Sequence, residues 1–391
     1  MSSRVPDGWK RRSLGEVATL QRGFDLPKRL RAEGIHPLVS SSGVIDTHNE
    51  GPIASPGVAT GRSGSIGSVF FLKEAFWPLN TVLYVKDFHG NDARWVYYLL
   101  ISIDLARFAG GMGVPTLNRN VVHKEAVLVP PLSEQRRIVS VLDAAFAGLA
   151  TAEANTRQNL TNARELYESQ LNAVFDSAPA HWTEDSLGNI CEIARGGSPR
   201  PIKSYITTAS DGVNWVKIGD ATASEKYIYE TKQKIKPAGV QRSRMVFDGD
   251  FLLSNSMSFG RPYIMRTNGA IHDGWLVLRD QGGVFDQDFL YLFLSSRFAF
   301  DQLDRMAAGS VVRNLNTESV RALRVRLPCK EEQEVVANTL GGIAGQSATL
   351  AKLAERKLAA LAALKQSLLH RAFRGELSGG KAVNLTAELE V

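Results

Sequence analysis

Two kinds of hydrophobic pattern alternate along the 391 residues of the chain. The first kind is short. Ile66-Gly67-Ser68-Val69-Phe70-Phe71-Leu72 and Leu83-Tyr84-Val85 form one group, and Val246-Phe247, Phe251-Leu252-Leu253, Tyr263-Ile264-Met265 and Trp275-Leu276-Val277-Leu278 form another. Brief apolar and aromatic runs broken by Gly, Ser, Asn and Asp predict strands joined by turns. Each group is followed by one helix candidate, near Trp95–Phe108 and Phe289–Met306.

The second kind is long. Ile138, Leu142, Ala145, Leu149, Ala152, Leu160, Ala163, Tyr167, Leu171 and Val174 recur mostly at intervals of three or four, the period of a helix with one apolar stripe. Leu350, Leu353, Leu358, Leu361, Leu364 and Leu368 make a second such stripe. Pro131, with Ser133 as N-cap and Glu134 in the first turn, marks the start of the first helix. Gly341, Gly342 and Gly345 predict a frayed or closely packed start for the second. A stripe this narrow packs on another helix. Roughly 40 residues at about 1.5 Å each make a rod of about 60 Å, and two such rods packed antiparallel would act as a ruler.

The two patterns repeat in tandem. Trp9, Leu14-Gly15 and Arg22-Gly23 return as Trp182, Leu187-Gly188 and Arg195-Gly196, offset by 173. Ser65-Ile66-Gly67 and Leu83 through Asp87 return as Ser258-Phe259-Gly260 and Leu276 through Asp280, offset by 193. Leu117-Asn118, Pro130 with Glu134-Gln135, Leu171 and Phe175 return at Leu315-Asn316, Pro328 with Glu332-Gln333, Leu369 and Phe373, offset by 198. The globular blocks differ in length and the helices are length-locked. The expected fold is α+β: two similar domains, each a curved antiparallel β-rich sheet plus helices, joined by two long helices in an antiparallel coiled coil. The expected boundaries are 1–132 and 178–329 for the domains, 133–177 and 330–377 for the helices, and 378–391 for a tail.

Composition changes this picture little. Hydrophobic residues make up 44% and charged residues 22%, as in globular proteins. No run of 18 consecutive apolar residues occurs, and the opening residues lack the apolar run of a secretory signal, so no membrane association is expected. Cys191 and Cys329 are the only cysteines, which fits a reducing cytoplasm and excludes a disulfide framework. Charge is more informative. Residues 1–133 hold 15 basic against 11 acidic residues and residues 177–330 hold 20 against 16, so each globular block is +4. Two basic blocks suit a polyanionic partner.

The chain is poor in motifs for catalysis. It has no Gly-x-Gly-x-x-Gly after a strand, no Asn-Pro-Pro-aromatic or Asp-Pro-Pro-Tyr stretch, and no His-x-x-x-His pair or Cys-x-x-Cys. Gly375 through Ala382 nearly spells a phosphate-binding loop, but Ala382 stands where Ser or Thr must hold magnesium, and a helix precedes it. Gly375 reads better as a helix C-terminal glycine. Cys329, next to Pro328, reads as a packing residue.

Loops suited to DNA are present in both copies. Thr60, Arg62, Ser63 and Ser65 stand in Thr60-Gly61-Arg62-Ser63-Gly64-Ser65, where glycine and hydroxyls allow close approach to phosphates and Arg62 suits guanine. The second copy places Asn255, Ser256, Ser258 and Arg261 there, and asparagine suits adenine. Just before the long helices, Leu117 and Leu315 read as buried anchors, and Arg119, Asn120, Arg313 and Asn314 as DNA-facing candidates. Arg22, with Arg195, Ser198 and Arg200, forms a third set. A self-contained DNA-modifying enzyme and a two-headed protein-binding scaffold remain alternatives to a DNA reader.

The chain resembles the specificity (S) subunits of Type I restriction–modification systems over nearly its whole length. The resemblance rests on the duplicated layout and on Gly61-Arg62-Ser63-Gly64-Ser65-Ile66-Gly67. It also rests on Pro130-Pro131-Leu132-Ser133-Glu134-Gln135-Arg136-Arg137-Ile138 opening one helix and Leu368-Leu369-His370-Arg371-Ala372-Phe373-Arg374-Gly375-Glu376-Leu377 closing the other. It implies two target recognition domains that each read one half of a bipartite double-stranded DNA site, with the coiled coil setting the gap. It implies partner methyltransferase (M) subunits that bind S-adenosylmethionine and methylate adenine, and restriction (R) subunits that use ATP and Mg. It implies no catalytic site, metal or cofactor on this chain. Two departures stand out. The second helix opens Pro328-Cys329-Lys330-Glu331-Glu332-Gln333, and the second copy lacks the Gly-Arg-x-Gly core.

Overall fold

A computed structural model describes residues 5–111, 115–222, 226–255, 259–307 and 314–377. The chain divides into two compact units: residues 1–157 with 355–391, and residues 158–354. Each unit therefore combines a globular block with part of both long helices.

In unit 1 the strands are β1 (Lys10–Ser13), β2 (Thr19–Arg22), β3 (His36–Ser40), β4 (Gly43–His48), β5 (Gly57–Gly61), β6 (Val69–Leu72), β7 (Trp77–Pro78) and β8 (Val82–Asp87). Helix α1 (Ala93–Ser102), strands β9 (Ala109–Gly110) and β10 (Thr116–Leu117), helix α2 (Arg119–Val122) and strand β11 (Ala126–Val129) follow, and helix α3 (Leu132–Asp176) begins. The main sheet has the order β2-β8-β5-β6, all antiparallel, and β4-β3-β7 lies in a second sheet. β1 pairs with β11.

The helix expected over 95–108 ends at Ser102 and continues as a short 3-10 turn at Leu105–Phe108. Asp92 starts it by accepting the N–H groups of Arg94 and Trp95. Ser133 is not an N-cap, because α3 already includes Leu132.

The core of unit 1 gathers Trp9, Leu14, Leu83, Trp95 and Leu99 with Ile138, Leu142 and Leu149 of α3. Leu361, Leu368, Leu369 and Ala372 of the last helix join the same core. The two helices run antiparallel here: Arg137 reaches the carbonyl of Leu377 at 2.6 Å, and Lys365 lies 5.3 Å over the Phe146 ring. The apolar content of α3 gives one 18-residue stretch a mean hydropathy of 1.2, enough by length and composition alone to cross a membrane. Its Ile138, Leu142 and Leu149 belong to this core.

Unit 2 repeats the plan with additions. Its strands are β12 (Thr183–Ser186), β13 (Cys191–Arg195), β14 (Ile206–Thr207), β15 (Val213–Val216), β16 (Tyr227–Ile228), β17 (Lys234–Ile235), β18 (Arg244–Val246), β19 (Phe251–Ser254), β20 (Pro262–Met265), β21 (Gly269–Ile271), β22 (Trp275–Asp280) and β23 (Arg324–Leu327). Its helices are α4 (Leu187–Ile190), α5 (Ile218–Ala221), α6 (Pro237–Val240), α7 (Gln287–Ser295), α8 (Arg297–Ala307), α9 (Thr317–Arg321) and the start of α10 (Lys330–Phe373).

The order β13-β22-β19-β20 matches that of the main sheet of unit 1, and β12 pairs with β23 as β1 does with β11. The second sheet, β14-β17-β15-β21-β18, keeps the parallel pair of the second sheet of unit 1: Trp215–Ala270 and Val216–Ile271 stand in the place of Leu38–Trp77 and Val39–Pro78. The sheets are mostly antiparallel, but β3/β7, β15/β21 and β16/β20 pair in parallel. The helix expected over 289–306 breaks at Ser296 into α7 and α8.

Phe175 of α3 packs edge-on against Phe289 and Phe293 at 5.5 and 5.6 Å in unit 2, as Phe373 of α10 packs on Trp95 at 5.7 Å in unit 1. Gly341, Gly342 and Gly345 lie a few turns inside α10 and are open to solvent, so they neither fray its start nor permit close packing. Gly375 does close the helix in the left-handed region, at φ +75°. Cys191 is buried and Cys329 is exposed, so Cys329 is not a packing residue.

Candidate nucleic-acid interface

One residue in each unit ties the candidate loops together. In unit 1 the N–H of Arg62 donates to Thr81, and its carbonyl accepts from Leu117. In unit 2 the N–H of Asn255 donates to Gly274, and its carbonyl accepts from Leu315. The side chains repeat the match. Arg62 Nη1 donates to the carbonyl of Asn80 at 3.4 Å and Asn255 Nδ2 to the carbonyl of Asp273 at 2.9 Å. Leu117 and Leu315 are the buried anchors that this arrangement needs. Asn118 and Asn316 then cap α2 and α9 through their side chains.

The strand-to-loop exits match as well. Gly23 donates to Val82 and Gly196 to Trp275, positions related by the repeat. A Cβ on either glycine would stand 2.2 Å from the carbonyl of Leu79 or His272, so no larger residue fits.

Unit 1 draws its cations together. Arg22, Arg62, Arg119 and Asn120 line one cavity of about 590 Å³ with Phe108 and Asn118. Arg22 is exposed and pairs with Asp25 at 3.7 Å. Arg119 and Asn120 are exposed, and Arg119 has no acidic partner among the described residues. Ser63 bridges to Thr116, and Ser65 is exposed. Thr60 is a correction: it lies in β5 with no exposed surface, so it cannot face DNA.

In unit 2 the hub is Asp273. Ser198 Oγ donates to its Oδ1 at 2.7 Å, Arg200 approaches its Oδ2 at 3.4 Å, and Arg195 Nε donates to its carbonyl at 3.0 Å. The Ser198 hydroxyl holds the Asp273 carboxyl below the ordinary carboxylate range, while partial burial opposes it. Ser198 and Arg200 also line a cavity of about 810 Å³ with Lys203, Trp215, Lys217 and His272. Burial pushes the His272 imidazole down, which keeps it neutral.

Asn255 is the second correction: it is buried, and its amide is spent on Asp273, so it does not read a base edge. Arg261 is exposed, its guanidinium 5.3 Å from the centre of the Tyr263 ring, and Asn314 is exposed. Ser256, Ser258 and Arg313 lie outside the described residues.

The loop reading missed Asp25, Asn80, Asp273, Lys203, Lys217 and His272. The repeat carried a signal for three of them. The offset of 173 places Asp25 on Ser198, and the offset of 193 places Asn80 on Asp273.

Comparison with known proteins agrees with the duplicated architecture. The family model described as the Type I restriction modification DNA specificity domain matches twice, over residues 6–162 and 179–353. The Escherichia coli Type I restriction enzyme EcoBI specificity subunit is 22% identical, over 96% of this chain and 87% of its own. A putative Type I restriction enzyme specificity subunit of Haemophilus influenzae is 24% identical, over 85% and 86%. Among solved structures, the HsdS subunit of Thermoanaerobacter tengcongensis matches with a TM-score of 0.62 at 20% identity, over 96% of this chain and 98% of that one. A chain from a structure on assembly and conformational transition of the type I R-M system matches with a TM-score of 0.76 at 20% identity, over 95% and 99%. With a geometry-matched repeat and both copies covered by the model, the chain belongs to the Type I restriction–modification specificity-subunit family.

Proposed function

We propose that this chain is the non-catalytic DNA-recognition subunit of a Type I restriction–modification enzyme. Each unit reads one half of a bipartite site in double-stranded DNA, and α3 with α10 sets the unspecified gap. The chain docks methyltransferase (M) and restriction (R) subunits in the cytoplasm. S-adenosylmethionine, ATP and Mg belong to those partners.

The convergence of Arg22, Arg62, Arg119 and Asn120 on one cavity carries this reading. Three guanidiniums in one cleft attract phosphates, and they also match the acceptor edge of guanine. Phosphate contacts supply affinity and register, while base-edge contacts supply sequence. The matching loop junctions at Arg62 and Asn255 give the two units one frame, which suits two readers built on one plan.

Removing one turn from both long helices together tests the spacer. About four residues shorten a helix by about 6 Å, or roughly two base pairs at 3.4 Å each. The preferred gap shortens and both half-sites stay the same. Altered half-site sequences would contradict the spacer role.

A further inference from the structure

The two units place one side-chain pair at the same point of the fold and invert its chemistry. In unit 1 Asn80 Nδ2 donates to Asp25 Oδ1. In unit 2 Ser198 Oγ donates to Asp273 Oδ1. Ser198 stands where Asp25 stands, and Asp273 where Asn80 stands. The neighbouring main chain makes the match one of structure as well as sequence: Phe24 donates to Pro78 and Gly197 to Ile271. The carboxylate has thus changed sides while the contact between the two positions is kept.

Each carboxylate has an arginine beside it. Arg22 lies 3.7 Å from Asp25, and Arg200 lies 3.4 Å from Asp273. Both pairs are substantially exposed, and exposed pairs of this kind add little to stability. A carboxylate on a surface that meets a polyanion is also unfavourable unless it accepts a hydrogen bond there. In the major groove the amino groups that can supply one are cytosine N4 and adenine N6, and carboxylates pair with cytosine N4. The adjacent arginine suits guanine O6 and N7. Acceptor and donor side by side match the edge of one G·C base pair.

We infer that Asp25 with Arg22, and Asp273 with Arg200, each read one G·C pair, one in each half-site, with Asn80 and Ser198 as positioning residues. This assignment rests on the proposed function. The side of the pair that carries the carboxylate differs between the units, so each unit presents the acceptor from a different strand exit.

The test is to co-express the chain and its Asp25→Asn and Asp273→Asn variants with the methyltransferase subunit, and to map methylated adenines across the host genome. Asp273→Asn relaxes one G·C position of one half-site by roughly 5- to 150-fold, and Asp25→Asn relaxes one position of the other. The gap and the remaining positions stay fixed. Arg200→Ala removes a side chain that is 80% exposed and relaxes the same position as Asp273→Asn, even if the latter fails to assemble. A wild-type split motif indifferent to all three variants would overturn this assignment alone. A wild-type complex that methylates no split motif would overturn the proposed function and the assignment with it.

Discussion

Gln135 accepts the main-chain N–H of Asp92 at 2.9 Å, the residue that caps α1. The same glutamine donates to the carbonyl of Pro130 at 3.1 Å and to Asn91 at 2.8 Å. Gln333 repeats this in unit 2. It accepts the N–H of Asp286, the cap of α7, at 2.8 Å, and donates to the carbonyls of Pro328 and Val284, each at 3.1 Å. The glutamine that closes the Glu-Gln motif is thus a buried clamp between a long helix and the helix packed on it. Truncation strands buried partners at about 1–3 kcal/mol each. Gln135→Ala and Gln333→Ala each cost about 2–4 kcal/mol, read as a fall in the urea midpoint. An unchanged midpoint would contradict the clamp.

The two cysteines differ in environment. Burial, with the nearby Asp280 carboxylate, pushes the Cys191 thiol up to about 12, while Cys329 is exposed. Reactivity follows the thiolate and its access. At pH 8 a thiol reagent modifies one equivalent in the native protein and two in denaturant. Two fast equivalents in the native state would contradict the burial of Cys191.

Burial, with a nearby arginine, holds His123 below the usual imidazole range. Burial lowers His272 as well, assisted by Lys217 and opposed by Asp273 and Asp220. The unfolded imidazoles take protons near pH 6.5 and the folded ones only at lower pH. The unfolded state therefore binds more protons across that window, and stability rises with pH there. The unfolding midpoint is higher at pH 7.5 than at 5.5, and His123→Gln or His272→Gln reduces the difference. Equal wild-type midpoints would contradict buried neutral imidazoles.

Arg22→Ala, Arg62→Ala and Arg119→Ala each weaken DNA binding by the assembled complex. Where the arginine meets a phosphate, the slope of log affinity against log salt falls by about 1. Thr60→Val leaves DNA binding unchanged, because Thr60 has no exposed surface. Titration between 50 and 200 mM salt separates these outcomes. Full affinity in all three arginine variants would remove the unit 1 cleft from the interface.

The duplication was legible because offsets of 173, 193 and 198 survive in the sequence as shared frames. The long helices were legible because one apolar stripe repeats through each, and Leu117 and Leu315 because an apolar residue between polar loops needs a pocket. The interface was less so. Thr60 and Asn255 have the composition of DNA-facing residues, yet the strand pairing of β5 buries one and a turn carbonyl 18 residues away takes up the other. Asp25 and Asp273 are not legible in the sequence, because an acid within a basic block reads as solvation. Only tertiary contact shows each holding an arginine and a hydrogen-bonded partner. The parallel pairs β3/β7 and β15/β21 have no local pattern that distinguishes them from antiparallel ones.

The most direct test of two readers on one spaced frame is the methylation pattern that the chain directs. Co-expressed with the methyltransferase subunit, it yields one split motif: two short specified halves around a constant gap. A continuous motif, or a complex that forms stably but directs no new adenine methylation, would contradict the account.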